Sequence, residues 1–317
     1  MTRTRLTKAQ DAVLTDIIEQ MENTDDGWQM PWHNAGIGGN PTNLANGKPY
    51  RGFNRLVLML QQSKHRYTTS TWGTFYQWRK RRSHVRAGQK ATTLFYPIMR
   101  RDKEGKEHVA YFRPFWVFNG DQVTNFNPDY PDLFADDGPD IDRPTIEQII
   151  ERHQVKLFFE GDSAFYRPSD DSITMPPRSS FFGSKTSTAD EAFYATLLHE
   201  MVHWTGHSSR LDRARHNAFG DEVYAFEELI AELGAAFLCS EYEITNEPRP
   251  DHAQYLNSWL KVLNDDKSQL WQAASKAQLA VDWITGCTEE EPPHDHREPP
   301  AFALEIQPTQ ADFFEKG

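Results

Sequence analysis

The chain is poor in cysteine. Its 317 residues hold two, Cys239 and Cys287, and neither has a C-x-x-C partner. A zinc ribbon and a redox-active dithiol pair are thereby excluded. Cys239 lies in the apolar run "AAFLCS" and reads as a small core residue. Two free thiols fit a reducing compartment. Long hydrophobic runs are also lacking. No stretch approaches the roughly 18 to 20 apolar residues of a membrane span. The opening "MTRTRLTKAQD" leads into no apolar segment, so a secretory signal is not expected. The expectation is a soluble cytoplasmic protein. Helix-turn-helix and zinc-finger signatures are missing too, which argues against duplex readout.

Positive charge is scarce overall, and the formal net charge is -12. It is not scarce everywhere. Residues 51 to 113 hold fifteen Lys and Arg against Asp102, Glu104 and Glu107. That window is +12, so the remainder carries -24. A basic block inside an acidic chain calls for a local explanation.

Aromatics are plentiful at 13%, and hydrophobic residues make up 38%, enough for a folded core. The length suggests about two domains. Residues 6 to 22 repeat apolar positions at steps of three or four and predict a helix. Residues 55 to 62 predict a second helix, and a third is expected from near Thr71. "TTLFYPIM" and "EHVAYFRPFWVF" predict two strands joined by "RDKEG". Prolines and acids then cluster without periodicity, which marks a linker at 129–144. Beyond it, Thr145 is placed to cap a helix. Three short strands follow, ending in "DSITMP". Helices are expected around residue 199, from Val223 to Ser240 and from about Ala253 to Ile284. The predicted division is therefore 1–128, a linker at 129–144, a second domain at 145–287, and an acidic proline-rich tail at 288–317. The fold class is α+β.

The stretch "LLHEMVHWTGHSSRLDR" contains H-E-x-x-H at His199, Glu200 and His203. Residues four apart on a helix are offset by about 40° around the axis. The two imidazoles therefore share a face, one turn apart. Glu200 beside them is placed to take a proton from an attacking water, the arrangement of zinc peptidases. Ser187 or Thr188 suits the N-cap, and Gly206 suits a left-handed C-cap. A metzincin third ligand belongs at position 209, which is Ser209, and His207 falls two residues early. The other source of a third ligand is "YAFEELIAELGAAFL", with Glu227, Glu228 and Glu232. Glu228 and Glu232 share a face. The small residues Ala231, Gly234, Ala235 and Ala236 suit close helix approach. A natural division puts Glu228 on the metal and Glu232 behind a histidine ring. This order resembles the second signature of the gluzincin peptidases, which implies the same division. Glu227 points about 100° away from Glu228 and is the weaker candidate. Two imidazoles and one carboxylate call for Zn²⁺, with another divalent ion such as Mn²⁺ as substitute. "DSITMP" reads equally as an edge strand for pairing with an extended peptide and as a plain structural strand.

In the basic block, cations and aromatics interleave, as binding of single-stranded nucleic acid requires. The expected contacts are Arg51, Arg55, Tyr76, Arg79, Lys80, Arg81, Arg82, Arg86, Lys90, Arg100, Arg101 and Arg113. Trp28 and Trp32 stand near the start, while Trp72, Trp78 and Phe115 read equally as core. Acidic protein is the rival partner for this charge.

Both halves resemble one family. "NPTNLANGKPYRGFNRLVL", "HVRAGQKATTLFYP" and "FWVFNGDQV" are similar to the single-stranded-DNA-binding domain of the ArdC antirestriction proteins. "DSITMPPRSSF", the H-E-x-x-H helix and "YAFEELIAELGAAFL" are similar to the metallopeptidase domain that follows it in that family. The resemblance spans roughly residues 5 to 285 and leaves out the acidic tail. It implies a plasmid- or phage-borne protein that shields incoming DNA from restriction. It also implies His199, His203 and Glu228 as ligands, Glu200 as base, and an unidentified host protein as substrate. Two functions remain open. One is a DNA-guided zinc endopeptidase. The other is a single-strand-binding shield whose metal site is structural or idle.

Overall fold

The computed structural model describes residues 6–22, 39–126, 145–184, 187–213, 222–244 and 252–287. Trp28, Trp32, the linker at 129–144 and the tail at 288–317 lie outside them. The first half contains α1 (Lys8–Glu22), β1 (Thr42–Asn43), α2 (Gly52–His65), β2 (Thr71–Gly73), α3 (Phe75–Lys80), β3 (His84–Val85), β4 (Thr92–Arg101), β5 (Glu107–Asn119) and β6 (Val123–Thr124). Four strands form one sheet in the order β1-β2-β5-β4, and β3 pairs with β6. The helix expected from Thr71 starts later. Thr71–Gly73 is extended, and Thr74 caps α3 in a reciprocal capping box with Gln77. The long β4–β5 hairpin carries Arg100, Arg101, Lys103 and Lys106 at its exposed end.

The second half contains α4 (Ile146–His153), β7 (Lys156–Phe159), β8 (Phe165–Arg167), β9 (Ser172–Met175), α5 (Ala189–Thr205), α6 (Glu222–Glu241), α7 (His252–Asp265) and α8 (Ser268–Thr285). Thr145 caps α4 as expected. The single long helix expected near 253–284 is two helices. Asp266 breaks it and accepts from the Ser268 amide at 3.0 Å. The second sheet runs β7-β9-β8, so "DSITMP" is its central strand. All four residues of β9 are buried, and both of its sides are paired. It has no free edge for a peptide, which corrects the edge-strand expectation. The unpaired edges belong to β7 and β8.

The two halves share one core. Leu14, Phe53 and Leu94 belong to the same buried cluster as Leu197, Leu233 and Ala277. Trp271 of α8 stacks on Phe53 at 4.3 Å between ring centroids and meets Phe95 and Phe112 at 5.4 and 4.7 Å. Arg51 forms an ion pair with Asp282, and the Gly52 amide donates to Gln278 Oε1 at 3.0 Å. Among the described residues, only a small satellite cluster around Trp78 and Phe118 belongs to the first half alone.

A fragment comprising residues 1–128 therefore exposes the faces of Phe53, Phe95 and Phe112 that Trp271 covers. Burying one aromatic side chain is worth about 1.5 to 3 kcal/mol. The fragment is expected to lack a cooperative thermal transition by circular dichroism. A sharp melt within a few degrees of the full chain would show that the first half has a sufficient core of its own.

Candidate metal centre

Helix α5 begins at Thr188, whose hydroxyl accepts from the Glu191 amide while the Glu191 side chain returns the bond. The acids Asp190 and Glu191 lie in the first turn, where the helix dipole favours them. The helix ends at Gly206 with φ -72° and ψ -10°, so the expected left-handed cap is absent. Glycine is needed there for space. A Cβ would lie 2.9 Å from the His203 carbonyl oxygen and 3.4 Å from both Arg213 and Glu227. Arg213 folds back over this end. It donates to the Val202 carbonyl at 2.8 Å, to the Thr205 hydroxyl at 3.0 Å and to Glu227 at 3.0 Å. Arg210 caps the same end through the Trp204 carbonyl at 2.7 Å and pairs with Asp171 in the β8–β9 turn.

Helix α6 lies directly against α5. A Cβ on Gly234 would sit 2.8 Å from Val202 Cγ2. This approach brings three donors together. His199, His203 and Glu228 each offer one ligand atom, and these atoms lie within 4.8 Å of one another. Glu228 Oε2 is 3.6 Å from His199 Nε2, and its Oε1 is 3.3 Å from His203 Nε2. The opposite ring nitrogens face carboxylates. His199 Nδ1 is 3.6 Å from Glu232, and His203 Nδ1 is 3.7 Å from Glu227. Each imidazole thus presents Nε2 inward and is braced from behind, as metal-binding histidines are. Glu232 lies on the His199 side, outside the ligand set. Glu227 stays outside the ligand set. It braces His203 and is held in turn by Arg213. Its offset of about 100° from Glu228 argued against ligation, but it is also what carries it behind the second ring.

The site is strongly anionic. His199, Glu200, Glu228 and Glu232 are all buried. Burial alone pushes His203 down, but Glu228, Glu227 and Glu200 outweigh it and take its pKa up to about 10. Burial pushes Glu228 up, yet the two imidazoles hold it well below the usual carboxylate range. Glu227 is likewise lowered against burial, by His203 and Arg213. Several carboxylates converging on two imidazoles in a buried site call for a cation, and the donor set of two nitrogens and one oxygen fits a divalent metal. Glu200 is not part of the three-residue set, but its charge is felt at His203. His207 is not part of it either, and its Nδ1 lies 2.8 Å from Ser209 Oγ.

The expected nucleic-acid contacts divide. Arg55 is 1% exposed and donates to the Phe237 carbonyl at 2.6 Å, so no phosphate has access to it. Arg51 is largely occupied by Asp282. Arg81 is partly buried and donates to the Leu44 carbonyl at 3.3 Å, and Tyr76 is partly buried against Phe75. Arg79, Lys80, Arg82, Arg86, Lys90, Arg100, Arg101 and Arg113 are exposed. Of these, Arg86 donates to the Asp121 carbonyl and Arg101 pairs with Glu107. Trp72, Trp78 and Phe115 are core residues.

Residues 7–118 match the family model for the N-terminal domain of the anti-restriction factor ArdC, and residues 144–276 match a zincin-like metallopeptidase model. The uncharacterized protein y4eC of Sinorhizobium fredii is 34% identical over 286 residues, covering 86% of this chain and 90% of that protein. Two Escherichia coli proteins named DNA primase TraC are each 35% identical, and this chain spans 20% and 26% of their lengths. The crystal structure of the antirestriction protein ArdC from plasmid R388, in metal-free form, aligns with TM-score 0.67 at 33% identity over 86% of this chain and 95% of that one. Its Mn(II)-bound form aligns with TM-score 0.69 at 31% identity over 87% and 96%. With an ArdC N-terminal domain followed by a zincin-like domain whose donor residues converge, the chain belongs to the ArdC antirestriction family.

Proposed function

We propose that this chain is a cytoplasmic antirestriction protein that binds single-stranded DNA through its first half and hydrolyses a host protein at the metal centre. In this role it protects incoming plasmid or phage DNA. The observation that carries the reading is a buried glutamate, Glu200, that stands outside the ligand set beside His199. Among the described residues only three donors gather, whereas structural zinc sites have four. An idle or purely structural site has no use for a buried carboxylate at that position.

His199, His203 and Glu228 hold the ion, with Zn²⁺ preferred by the two imidazoles and Mn²⁺ accepted as a substitute. Such an ion supplies Lewis acidity, polarising a carbonyl and acidifying water. Glu232 and Glu227 keep the rings turned with Nε2 toward the ion. Glu200 takes the proton from the attacking water and passes it to the departing amine. Nothing in this chemistry selects a sequence, so choice of substrate falls to the rest of the molecule. The exposed cations from Arg79 to Lys90 and along the β4–β5 hairpin supply it, by holding the enzyme on single strands. No helix among the described residues is long and apolar enough to cross a membrane.

His203→Ala is expected to lose the ion, read by elemental analysis, because two donors do not make a stable site. Glu200→Gln is expected to keep both metal and melting temperature while abolishing proteolysis of candidate host proteins in the presence of single-stranded DNA. Residual cleavage by Glu200→Gln would place the base elsewhere. Full protection from restriction by the same variant would favour the shield function over the peptidase.

The nucleic-acid arm has its own measurement. Arg79→Glu with Lys80→Glu is expected to weaken single-strand binding and flatten its salt dependence. Each lost phosphate contact removes about 0.7 from the slope of log K against log salt. An unchanged slope would exclude this surface.

A further inference from the structure

Arg55 is a buried cation that reaches into the other half. Its Nη2 donates to the Phe237 carbonyl at 2.6 Å, and its Nη1 lies 3.5 Å from Glu241 Oε2. Its guanidinium sits over the Phe237 ring, 4.9 Å from the centroid. Phe237 and Glu241 are on α6, the helix that carries Glu228 and Glu232. The preceding residue grips the nucleic-acid half. Asn54 donates to the Phe95 carbonyl at 2.6 Å and accepts from the Phe95 amide at 2.9 Å. Two consecutive residues of α2 thus clamp the base of the β4–β5 hairpin and the far end of the metal helix.

We propose that Arg55 is a positioning residue of the metal centre, fixing α6 along its axis so that Glu228 stays between the two imidazoles. This rests on the metal-binding reading above. α6 is also held at its metal end, where Arg213 donates to Glu227 at 3.0 Å. Trp259 donates to the Ala225 carbonyl at its start, at 2.9 Å, and Val202 meets Gly234 by packing. Phe237 follows Glu228 by nine residues, about 14 Å along a rigid helix at about 1.5 Å per residue. A shift at Phe237 is therefore carried to Glu228 almost undiminished. Metal ligands tolerate displacements of only about 0.2 Å. The carboxylate already spans two rings at 3.3 and 3.6 Å, so a slide of α6 toward one imidazole withdraws it from the other.

The test is zinc affinity of the full chain by competition with a chelator, for wild type, Arg55→Met, Arg55→Lys and the control Leu14→Ala. Leu14 is fully buried in α1 and reports general loss of core packing. Arg55→Met is expected to lower zinc affinity about tenfold or more, the effect of losing a group that orients ligands. Arg55→Lys is expected to recover part of the loss by keeping a cation near Glu241. Leu14→Ala is expected to lower the melting temperature while leaving zinc affinity within about twofold, a core-packing loss only. Wild-type affinity in Arg55→Met, or an equal loss in Leu14→Ala, overturns the role of Arg55 alone. If Arg55→Met does not fold, Arg55→Lys decides, since unchanged affinity there overturns the role and a partial loss supports it. A wild-type chain that binds no zinc overturns the metal reading and this role together.

Discussion

The structure depends on the close contact of α5 and α6 at Gly234 and Val202. The two histidines come from one helix and the third donor from the other. Neither helix makes a site alone. Any side chain at 234 would push the pair apart, since the added Cβ would lie inside van der Waals contact with both Val202 methyls. Interiors pack too densely to absorb such an intrusion without a shift. The alanines around Gly234 and the buried Leu197, Leu198 and Met201 on α5 then read as one requirement. They are small or buried residues flanking the Val202–Gly234 contact, and that contact brings Glu228 to both imidazoles.

That closeness creates an electrostatic problem which the rest of the site answers. Carboxylates from both helices converge in a volume with little water. Two of them stand behind the rings, 3.6 and 3.7 Å from the outer nitrogens. Arg213 neutralises Glu227 and also closes the end of α5, so one cation serves helix termination and ligand orientation together. Arg210 does related work farther out by joining Trp204 to Asp171, which ties the end of α5 to the central sheet. The excess negative charge that remains is what a divalent ion satisfies.

The sequence made the metal centre legible because its parts are local. H-E-x-x-H and E-x-x-x-E each place residues on one helical face, and periodicity alone shows which face. Gly206 was recognised as a terminator, but its reason was not visible. Its dihedrals are ordinary, and the constraint is the room taken by Arg213 and Glu227, which arrive through tertiary folding. The central place of β9 was hidden for the same reason, since four apolar-rich residues look alike at an edge and in the middle of a sheet. Charge counting misled at Arg51 and Arg55. A window of fifteen cations says nothing about which of them point inward: Arg51, just before α2, pairs with Asp282 of α8, and Arg55 on α2 reaches Phe237 of α6.

The inward cations change how the two halves relate. Composition suggested two domains with separate tasks, yet the packing joins them through Trp271, Asp282 and Phe237. A buried arginine cannot be exposed on one side and lost on the other without cost to both. The halves therefore fold as a unit, although they match separate family models. In the much longer primases, the matching stretch covers nearly this whole chain and not one half of it. A shared core gives a physical reason for that. An isolated zincin-like half would lose the residues that cover Phe237 and Trp271, and an isolated ArdC-like half would lose the contacts of Arg55 with Phe237 and Glu241.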